Sequence, residues 1–401
     1  MTNENKTNTQ LDEVIFKASE SLEITDEEAL LLSSYSENHL DDLCDSAAKI
    51  RDHGKGTTVT FSPKVFIPLT RLCRDYCGYC TFRIDPDQTQ TLYMSAEEVL
   101  DVAKQGESLG CTEALFTLGE RPEQKYPEAK EWLLNNGYNS TLDYLSEMTE
   151  LVVKETRLLP HANPGTMTHR ELNVLKDSNP STGIMLESTS ELLYQEGGPH
   201  EFAPSKRPIV RLKTISIAGE LKIPFTTGLL IGIGETMLDR IESLLEIRNL
   251  QRKYNHIQET IIQNFRAKAE TPMADSPDAE TQEMLWTVAA ARIILGPHAN
   301  IQVPPNLSSE NYEMYLTAGI NDWGGVSPLT IDYVNPEAPW PLIANLKAKT
   351  ESAGFELKPR LAVYPEYFLD TDEYLPVDLL AKVRGLADGQ GYVKDGINRY
   401  V

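Results

Sequence analysis

The feature that most constrains the fold is a repeat in which a short apolar segment, typical of a buried strand, is followed by a helical segment. Eight such units succeed one another without a low-complexity interruption. Alternating units of this kind predict a parallel sheet, and eight of them predict a closed (β/α)8 barrel of the TIM type. The alternative is a partial six-strand barrel with the last two units as a lid. The predicted strands are residues 65–72, 113–118, 158–161, 183–186, 225–231, 259–262, 301–303 and 322–327.

The regions outside the repeat suggest how the rest of the chain is organised. Residues 1–12 are polar and rich in Asn and Thr, which predicts disorder. Residues 25–51 have a helical pattern with a capping residue at its start, so we expect a helical lead-in. We therefore predict a disordered N-terminus and lead-in over residues 1–60, a barrel over 61–354 and a C-terminal extension over 355–401.

Three cysteines lie within eight residues, directly after the first predicted strand. Cys73, Cys77 and Cys80 form a C-x3-C-x2-C pattern. Thiolates at this spacing can bind three irons of a [4Fe–4S] cluster and leave the fourth iron open to another ligand. A zinc site would require a fourth ligand nearby, and the sequence offers neither a second C-x2-C nor an H-x3-H to pair with this loop. The other two cysteines, Cys44 and Cys111, are expected to be small buried hydrophobes.

Charge and composition disfavour several kinds of partner. The formal net charge of -23 over 401 residues argues against binding to nucleic acid or to anionic membranes. No apolar run approaches the roughly 20 residues of a membrane span, and no signal peptide opens the sequence. Five cysteines, three of them in one loop, fit a reducing cytoplasm better than a disulfide scaffold. We expect a cytoplasmic protein.

The segments around the cysteines resemble a known family. Residues 66–72 and 81–83 flank the cysteine loop and are similar to the radical SAM superfamily. Within it, they resemble the CofG-type subunit of the synthase of 7,8-didemethyl-8-hydroxy-5-deazariboflavin (FO). The resemblance covers about residues 60 to 370, with the most specific further segment at 223–236. It implies a [4Fe–4S] cluster that cleaves S-adenosylmethionine (SAM) to a 5'-deoxyadenosyl radical.

The resemblance also implies a reaction and its partners. The expected substrate is a hydroxybenzyl-ribityl-uracil adduct, 5-amino-5-(4-hydroxybenzyl)-6-(D-ribitylimino)-dihydrouracil, made by the sister subunit CofH, a transient partner. The radical would take a hydrogen atom from it, the ribityl-bearing nitrogen would close onto the phenol ring, and ammonia would leave. The product, FO, belongs to coenzyme F420 biosynthesis, and reduced ferredoxin or flavodoxin is the expected electron donor. Alternatives are the tyrosine-cleaving step of the sister subunit, another radical SAM reaction such as sulfur insertion, and a non-catalytic electron carrier.

Several residues at predicted strand ends are candidates for contacting SAM, because working residues in such barrels follow the carboxyl ends of strands. An aromatic ring before the third cysteine could pack on adenine, and a carboxylate could accept from the ribose hydroxyls or the methionine ammonium. A basic residue of the segment 206–211 could face the methionine carboxylate. A structural role, as a turn or a solvated charge, remains the alternative for each. The cofactor-binding candidates are Tyr79, Gly119, Glu120, Glu187, Gly232, Gly234 and Glu235.

A second group of strand-end residues is expected to face the substrate. Amides and imidazole supply both the donors and the acceptors that a ribityl chain, a uracil edge and a phenol require. His161 or Asp322 is predicted to serve as a general base near neutral pH. Capping of strand ends and anchoring of loops are the structural alternative. The substrate-binding candidates are Asn163, Gln263, Asn264 and Asn306.

Overall fold

The computed structural model describes residues 3–20, 22–308 and 311–397. Its strands form one parallel sheet in the order β2-β3-β4-β5-β6-β7-β8-β1-β9, and β1 also pairs with β2. The first eight strands therefore close into a barrel, which confirms the predicted (β/α)8 fold over the six-strand alternative. The strands are β1 (Thr58–Pro68), β2 (Glu113–Thr117), β3 (Leu159–Asn163), β4 (Ser181–Gly183), β5 (Phe225–Ile231), β6 (Ile257–Asn264), β7 (Ile301–Gln302), β8 (Asp322–Val326) and β9 (Glu356–Pro359).

Helices cover the outside of this barrel. Ser95, Thr168 and Thr236 begin three of them with reciprocal capping boxes, which satisfy orphan amides of the first turn. None of the described helices is both long and apolar enough to cross a membrane. The helices are α1 (Asn3–Ser19), α2 (Asp26–Leu31), α3 (Leu40–Lys55), α4 (Ala96–Ser108), α5 (Pro127–Asn135), α6 (Thr141–Glu155), α7 (His169–Leu175), α8 (Pro208–Glu220), α9 (Met237–Tyr254), α10 (Thr281–Leu295), α11 (Ile343–Ser352) and α12 (Val377–Leu386).

The N-terminal segment differs from the disorder expected for residues 1–12. Residues 1 and 2 lie outside the described part, and α1 begins at Asn3. The helix buries Leu11, Val14, Ile15 and Ala18 in the main core. Their spacing of three, four and seven residues places them on one helical face, which packs on the lead-in helix α3. The first residues of α1 are polar, and most of the apolar stripe lies after residue 12. The composition of residues 1–12 therefore does not reveal the stripe.

The lower end of the barrel, at the amino ends of its strands, is closed by the segment after β9. β9 pairs with the first residues of β1, from Thr58 to Phe61. The carbonyl of Ala362 then accepts hydrogen bonds from Ser181 Oγ at 2.6 Å and from Gln258 Nε2 at 3.2 Å. The amide of Tyr364 donates to Gln258 Oε1 at 3.2 Å. Residues 360–364 therefore form the floor of the barrel.

A buried ion network lies at the centre of this floor. Arg360 donates through Nε to Asp322 Oδ2 at 2.7 Å and through a terminal nitrogen to Glu259 Oε1 at 2.8 Å. The hydroxyl of Tyr364 also donates to Glu259, at 3.1 Å. Burial opposes the charge of Arg360, but Asp322, Tyr364 and Glu259 raise its pKa well above the usual value. Burial raises the pKa of Glu259 to about 7, against the lowering effect of Arg360.

We expect Arg360→Met to destabilise the protein strongly. Removing one partner of a buried ion network leaves the other charges uncompensated, which costs about 3–5 kcal/mol of unfolding free energy. Lys358→Met is the matched control, because Lys358 lies two residues away and its ammonium contacts the exposed side chains of Gln390 at 3.0 Å and Glu356 at 3.4 Å. Urea unfolding of both variants measures the difference. Equal stability of the two variants would contradict this account of the floor.

Candidate active site at the upper end of the barrel

The cysteine loop follows β1 at the upper end of the barrel, where the strands have their carboxyl ends. Its backbone is tied to two neighbouring segments by three hydrogen bonds: Arg74 N donates to Glu120 O at 2.7 Å, Tyr76 N to Phe202 O at 3.0 Å and Gly78 N to Pro199 O at 2.7 Å. Asp75 is buried and accepts a short hydrogen bond from Ser205 Oγ. The loop is therefore held in place by the barrel rather than projecting from it.

The three thiols line one cavity of about 360 Å³ that extends from the loop down into the lumen. The amide of Glu120 donates to Cys73 Sγ at 3.2 Å, a contact typical of cluster thiolates. Burial raises the pKa of Cys73 to about 12 and the pKa of Cys77 further. Both thiols would stay protonated on their own and would release their protons on binding iron.

The thiols suit a cluster better than a single ion. Across the described residues, no group of three or more His, Cys, Asp or Glu side chains is arranged to hold one metal ion. Structural zinc requires four ligands converging at 2.0–2.3 Å. Cys44 and Cys111 are buried elsewhere in the core, as expected for small hydrophobic side chains. The donor set fits three irons of a [4Fe–4S] cluster held by Cys73, Cys77 and Cys80.

Gly119 and Glu120 lie directly beside the cysteine loop. A Cβ at Gly119 would lie 1.9 Å from the carbonyl oxygen of Leu72 and 2.8 Å from Cys73 Cβ, so only glycine fits there. The buried carboxylate of Glu120 accepts from the amide of Thr166 at 3.0 Å, and burial raises its pKa. Glu120 lines the cavity and can accept from a bound ammonium group.

Glu187 occupies a strained position between two cations on the opposite wall. Its φ of 67° lies in the left-handed region, which costs a residue with a side chain roughly 1–2 kcal/mol. β5 holds its backbone, with Glu187 N donating to Gly228 O at 3.0 Å. Lys206 makes a short ion pair with its carboxylate, and Arg211 lies 3.8 Å from the same oxygen. Backbone strain of this kind persists only where the surrounding contacts hold the residue in place, and it is often found at functional sites.

Tyr79 is a residue of the cysteine loop, and its ring packs against the segment that carries Lys206. Its hydroxyl lies 2.9 Å from His200 Nε2, and burial raises its pKa well above the usual value. Burial lowers the pKa of His200 to about 2, so the imidazole stays neutral and can accept the phenolic hydrogen. Tyr79 lines the cavity, where its aromatic ring is available to pack against a planar ligand.

Three of the cofactor candidates have another role. The carboxylate of Glu235 turns back to accept from the amides of Gly232 at 2.8 Å and Ile233 at 2.9 Å, and it binds Arg240 at 2.7 Å. Gly232 and Gly234 have φ of 96° and 109°, which the turn before α9 requires. As far as the described residues form it, the cavity wall includes none of Gly232, Gly234 and Glu235. The structure thus supports the structural alternative for these three residues, which form the turn before α9.

The lumen below the loop contains four of the six substrate-side candidates: His161, Asn163, Gln263 and Asn264. Ser181 Oγ, which donates to Ala362 O, lies 2.6 Å from His161 Nδ1, and His161 Nε2 lies 3.2 Å from Asn163 Oδ1. Burial lowers the pKa of His161 to about 4. The imidazole is therefore neutral but only a weak base near neutral pH, contrary to the predicted role.

Asp322 and Asn306 lie away from the described cavity wall. Asp322 is the first residue of β8, not its last, and therefore lies at the floor, fully buried against Arg360 and Thr60. The prediction that Asp322 is a general base at the upper end of the barrel is therefore wrong. The strand itself was predicted correctly, but Asp322 lies at its amino end and not at its carboxyl end. Asn306 donates through Nδ2 to Asp332 Oδ2 and to Ala338 O, both at 3.0 Å, and so anchors a loop.

Glycines in the barrel wall make room for the polar lumen. A Cβ at Gly183 would lie 2.5 Å from Asn163 Oδ1, one at Gly324 2.1 Å from Gln302 Nε2, and one at Gly325 2.4 Å from Lys64 Nζ. Lys64 and Gln302 are not among the residues that the sequence predicts for the site. Alternation along β1 from Phe66 could have pointed to Lys64, since residues two apart on a strand share a face.

A closed parallel (β/α)8 barrel that carries three thiols on the loop after its first strand is the architecture of a radical SAM enzyme. The family model of the radical SAM superfamily matches residues 67–247. The chain is 51% identical over 336 residues to 7,8-didemethyl-8-hydroxy-5-deazariboflavin synthase of Methanopyrus kandleri, covering 84% of this chain and 100% of that protein. It is 50% identical over 378 residues to FO synthase of Streptomyces avermitilis, covering 92% of this chain but only 44% of that protein. The chain belongs to the FO synthase family of the radical SAM superfamily.

Solved structures show the same fold. The [FeFe]-hydrogenase maturase HydG of Carboxydothermus hydrogenoformans superposes with a TM-score of 0.71 at 20% identity, covering 95% of this chain and 89% of that chain. Methylornithine synthase (PylB) superposes with a TM-score of 0.65 at 18% identity, covering 87% of this chain and 98% of that one. These likenesses concern the barrel and not the reaction.

We expect each of Cys73→Ala, Cys77→Ala and Cys80→Ala to abolish cluster assembly, because each thiol would hold a different iron. Anaerobic reconstitution followed by iron analysis and absorbance spectroscopy measures the effect. Cys111→Ala is the matched control, a buried cysteine outside the loop that should leave iron content unchanged. Full iron content in the Cys77→Ala protein would show that the loop does not hold the cluster.

Proposed function

We propose that the chain converts the hydroxybenzyl-ribityl-uracil adduct to FO, with closure of the central ring and loss of ammonia. The observation that carries this proposal is that the thiol loop and a polar lumen share one cavity. This arrangement occurs in a chain 51% identical to the Methanopyrus synthase over its whole length. An ammonia-releasing carbon–nitrogen lyase acting on a polar heterocycle requires such a lumen.

The polar groups of the lumen support a substrate with several hydrogen-bonding edges. Asn264 Oδ1 and Trp340 Nε1 are buried and have no hydrogen-bond partner among the described residues. Both residues line the cavity, so a ligand could satisfy one unpaired acceptor and one unpaired donor. Gln263 adds an amide that can both donate and accept. A uracil edge, a phenol and a ribityl chain together supply matching groups.

A bound cluster and SAM would supply the 5'-deoxyadenosyl radical that takes a hydrogen atom from the substrate. The residues of the upper wall would hold SAM: Glu120 would accept from the methionine ammonium, and Lys206 or Arg211 would face its carboxylate. Glu187 would accept from the ribose hydroxyls and Tyr79 would pack against the adenine. The sealed floor excludes water from below and keeps the substrate against the upper wall.

The relatives match the chain over different shares of their own lengths. The chain spans 44% of the Streptomyces FO synthase and all of the Methanopyrus protein. We propose that the sister subunit makes the adduct and delivers it by transient contact. Reduced ferredoxin or flavodoxin would donate the electron, in the cytoplasm. The tyrosine-cleaving step itself is the alternative.

The test is an anaerobic assay of the reconstituted protein with two substrate mixtures. One mixture contains the purified adduct and SAM; the other contains tyrosine, 5-amino-6-ribitylaminouracil and SAM. We expect fluorescent FO, ammonia and deoxyadenosine from the first mixture only. Adduct formation from the second mixture, without FO from the first, would overturn the proposal in favour of the sister step.

We expect Glu187→Gln and Glu120→Gln to weaken SAM binding without changing the cluster's absorbance. Loss of a hydrogen bond to a charged group costs about 1.5–3 kcal/mol, or roughly 10- to 150-fold in Kd. Glu128→Gln, an exposed residue of α5, serves as the control. Equilibrium binding of SAM to the reconstituted proteins measures the change. Unchanged affinity in both variants would remove these carboxylates from the SAM site.

A further inference from the structure

Lys64 differs from the other cations of the cavity. It lies on β1 with only 8% of its surface exposed, and its ammonium lies 5.2 Å from the Trp340 ring centroid and 5.7 Å from the Phe66 ring centroid. Among the residues that the structure describes, no carboxylate oxygen lies within 4.0 Å of Lys64 Nζ and no acceptor hydrogen-bonds to it. The other lining cations each donate to a protein acceptor: Arg83, Lys206, Arg211, Arg266, Lys268 and Arg360.

The carboxylates that face Lys64 already have other partners. Glu113 is its register neighbour on β2, but accepts a short hydrogen bond from Ser62 Oγ. Asp332 accepts from Asn306 Nδ2 and from the amide of Val334 at 2.9 Å. Glu259 is bound by Arg360 at the floor. The ammonium therefore remains available to a ligand in the lumen.

The fold makes specific room for this side chain. Gly325 of β8 lies beside it, and a Cβ there would come within 2.2 Å of Lys64 Cδ and 2.3 Å of Cε. A buried cation that contacts aromatic rings but neither an anion nor a hydrogen-bond acceptor is destabilising, so stability does not explain its presence. Burial lowers the pKa of Lys64, while Glu113, Asp332 and Glu259 raise it. An amine shifted in this direction transfers protons more readily near neutral pH.

We propose that Lys64 is the catalytic acid of the ammonia-releasing step, and that it recovers its proton from the substrate afterwards. The inference rests on the proposed function. It also fills the role for which His161, with its pKa lowered to about 4, is too weak a base.

Hydrogen abstraction leaves one unpaired electron on the substrate, and formation of FO requires that this electron leave together with a proton; we name an oxidised iron–sulfur cluster as its acceptor. The ammonia-releasing step itself is redox-neutral. The carbon–nitrogen bond to the amino group breaks with its electron pair on nitrogen, Lys64 Nζ donates one proton, and NH3 leaves. The aryl carbon that has bonded to the ribityl-bearing nitrogen releases its proton to the neutral Lys64 amine. The electron pair of that C–H bond stays in the conjugated rings and replaces the pair that left with nitrogen. Neither proton transfer changes an oxidation state.

The test is the Lys64→Met variant in the adduct assay, with Lys154→Met as control, since the Lys154 side chain is 80% exposed. We expect Lys64→Met to form deoxyadenosine at a rate close to that of the control. FO per deoxyadenosine should fall about 100-fold or more, the usual contribution of acid–base catalysis. Mass spectrometry should show a product that retains the amino nitrogen and has not released ammonia.

Amine rescue separates chemistry from packing. In Lys64→Ala, added ethylamine or propylamine should restore FO per deoxyadenosine, because a small amine can occupy the vacated volume. Equal ratios in Lys64→Met and Lys154→Met would overturn the assignment while the proposed function stands. Loss of FO without an amino-retaining product and without rescue would also overturn it, in favour of a structural role. A wild-type protein that cleaves SAM but makes no FO from the adduct would instead refute the proposed function.

Discussion

The buried contact of Arg360 with Asp322 and Glu259 is the interaction on which the rest of the barrel depends. Asp322 opens β8 and Glu259 lies on β6, so one guanidinium joins two walls and comes itself from a third segment. A planar cation with five donors can satisfy several acceptors at fixed angles, which a lysine cannot. The network closes the lumen from below and leaves the upper end as the side where chemistry can occur.

Above this floor, the lumen depends on where the wall lacks side chains. Small barrels normally fill their interiors with layers of branched apolar residues. Here the wall has no side chain at Gly183, Gly324 and Gly325. The side chains of Asn163, Gln302 and Lys64 occupy the space instead. At each of these glycines, a polar group that faces the cavity therefore takes the place of an apolar side chain. The cost is a buried polar interior whose donors and acceptors are only partly satisfied by the protein.

The sequence alone was sufficient for the barrel and the thiol loop, because strand–helix periodicity and cysteine spacing are local signals. It also placed Glu120 and Glu187 at the cavity, since a polar residue directly after a strand lies at the mouth. It failed for Asp322 and Glu235, where the end of the strand or the direction of the side chain decides the role. It missed Lys64 because the first strand was predicted to begin at residue 65, and because Gly325, which makes room for this side chain, lies more than 250 residues away. Long-range complementarity of this kind leaves no trace in a single local pattern.

The residues proposed for radical generation and the residue proposed for proton transfer lie on different parts of the barrel. The thiols, Glu120 and Glu187 all lie on loops at the carboxyl ends of strands, where loop geometry can be adjusted without disturbing the barrel. Lys64 and His161 lie within strands, where their positions are fixed by register and by glycines on neighbouring strands. In the proposed mechanism, radical generation therefore depends on the loops, and proton transfer by Lys64 depends on the wall. A substitution in the wall can impair the later steps while leaving SAM cleavage intact, because the two sets of residues share the cavity but not the elements that position them.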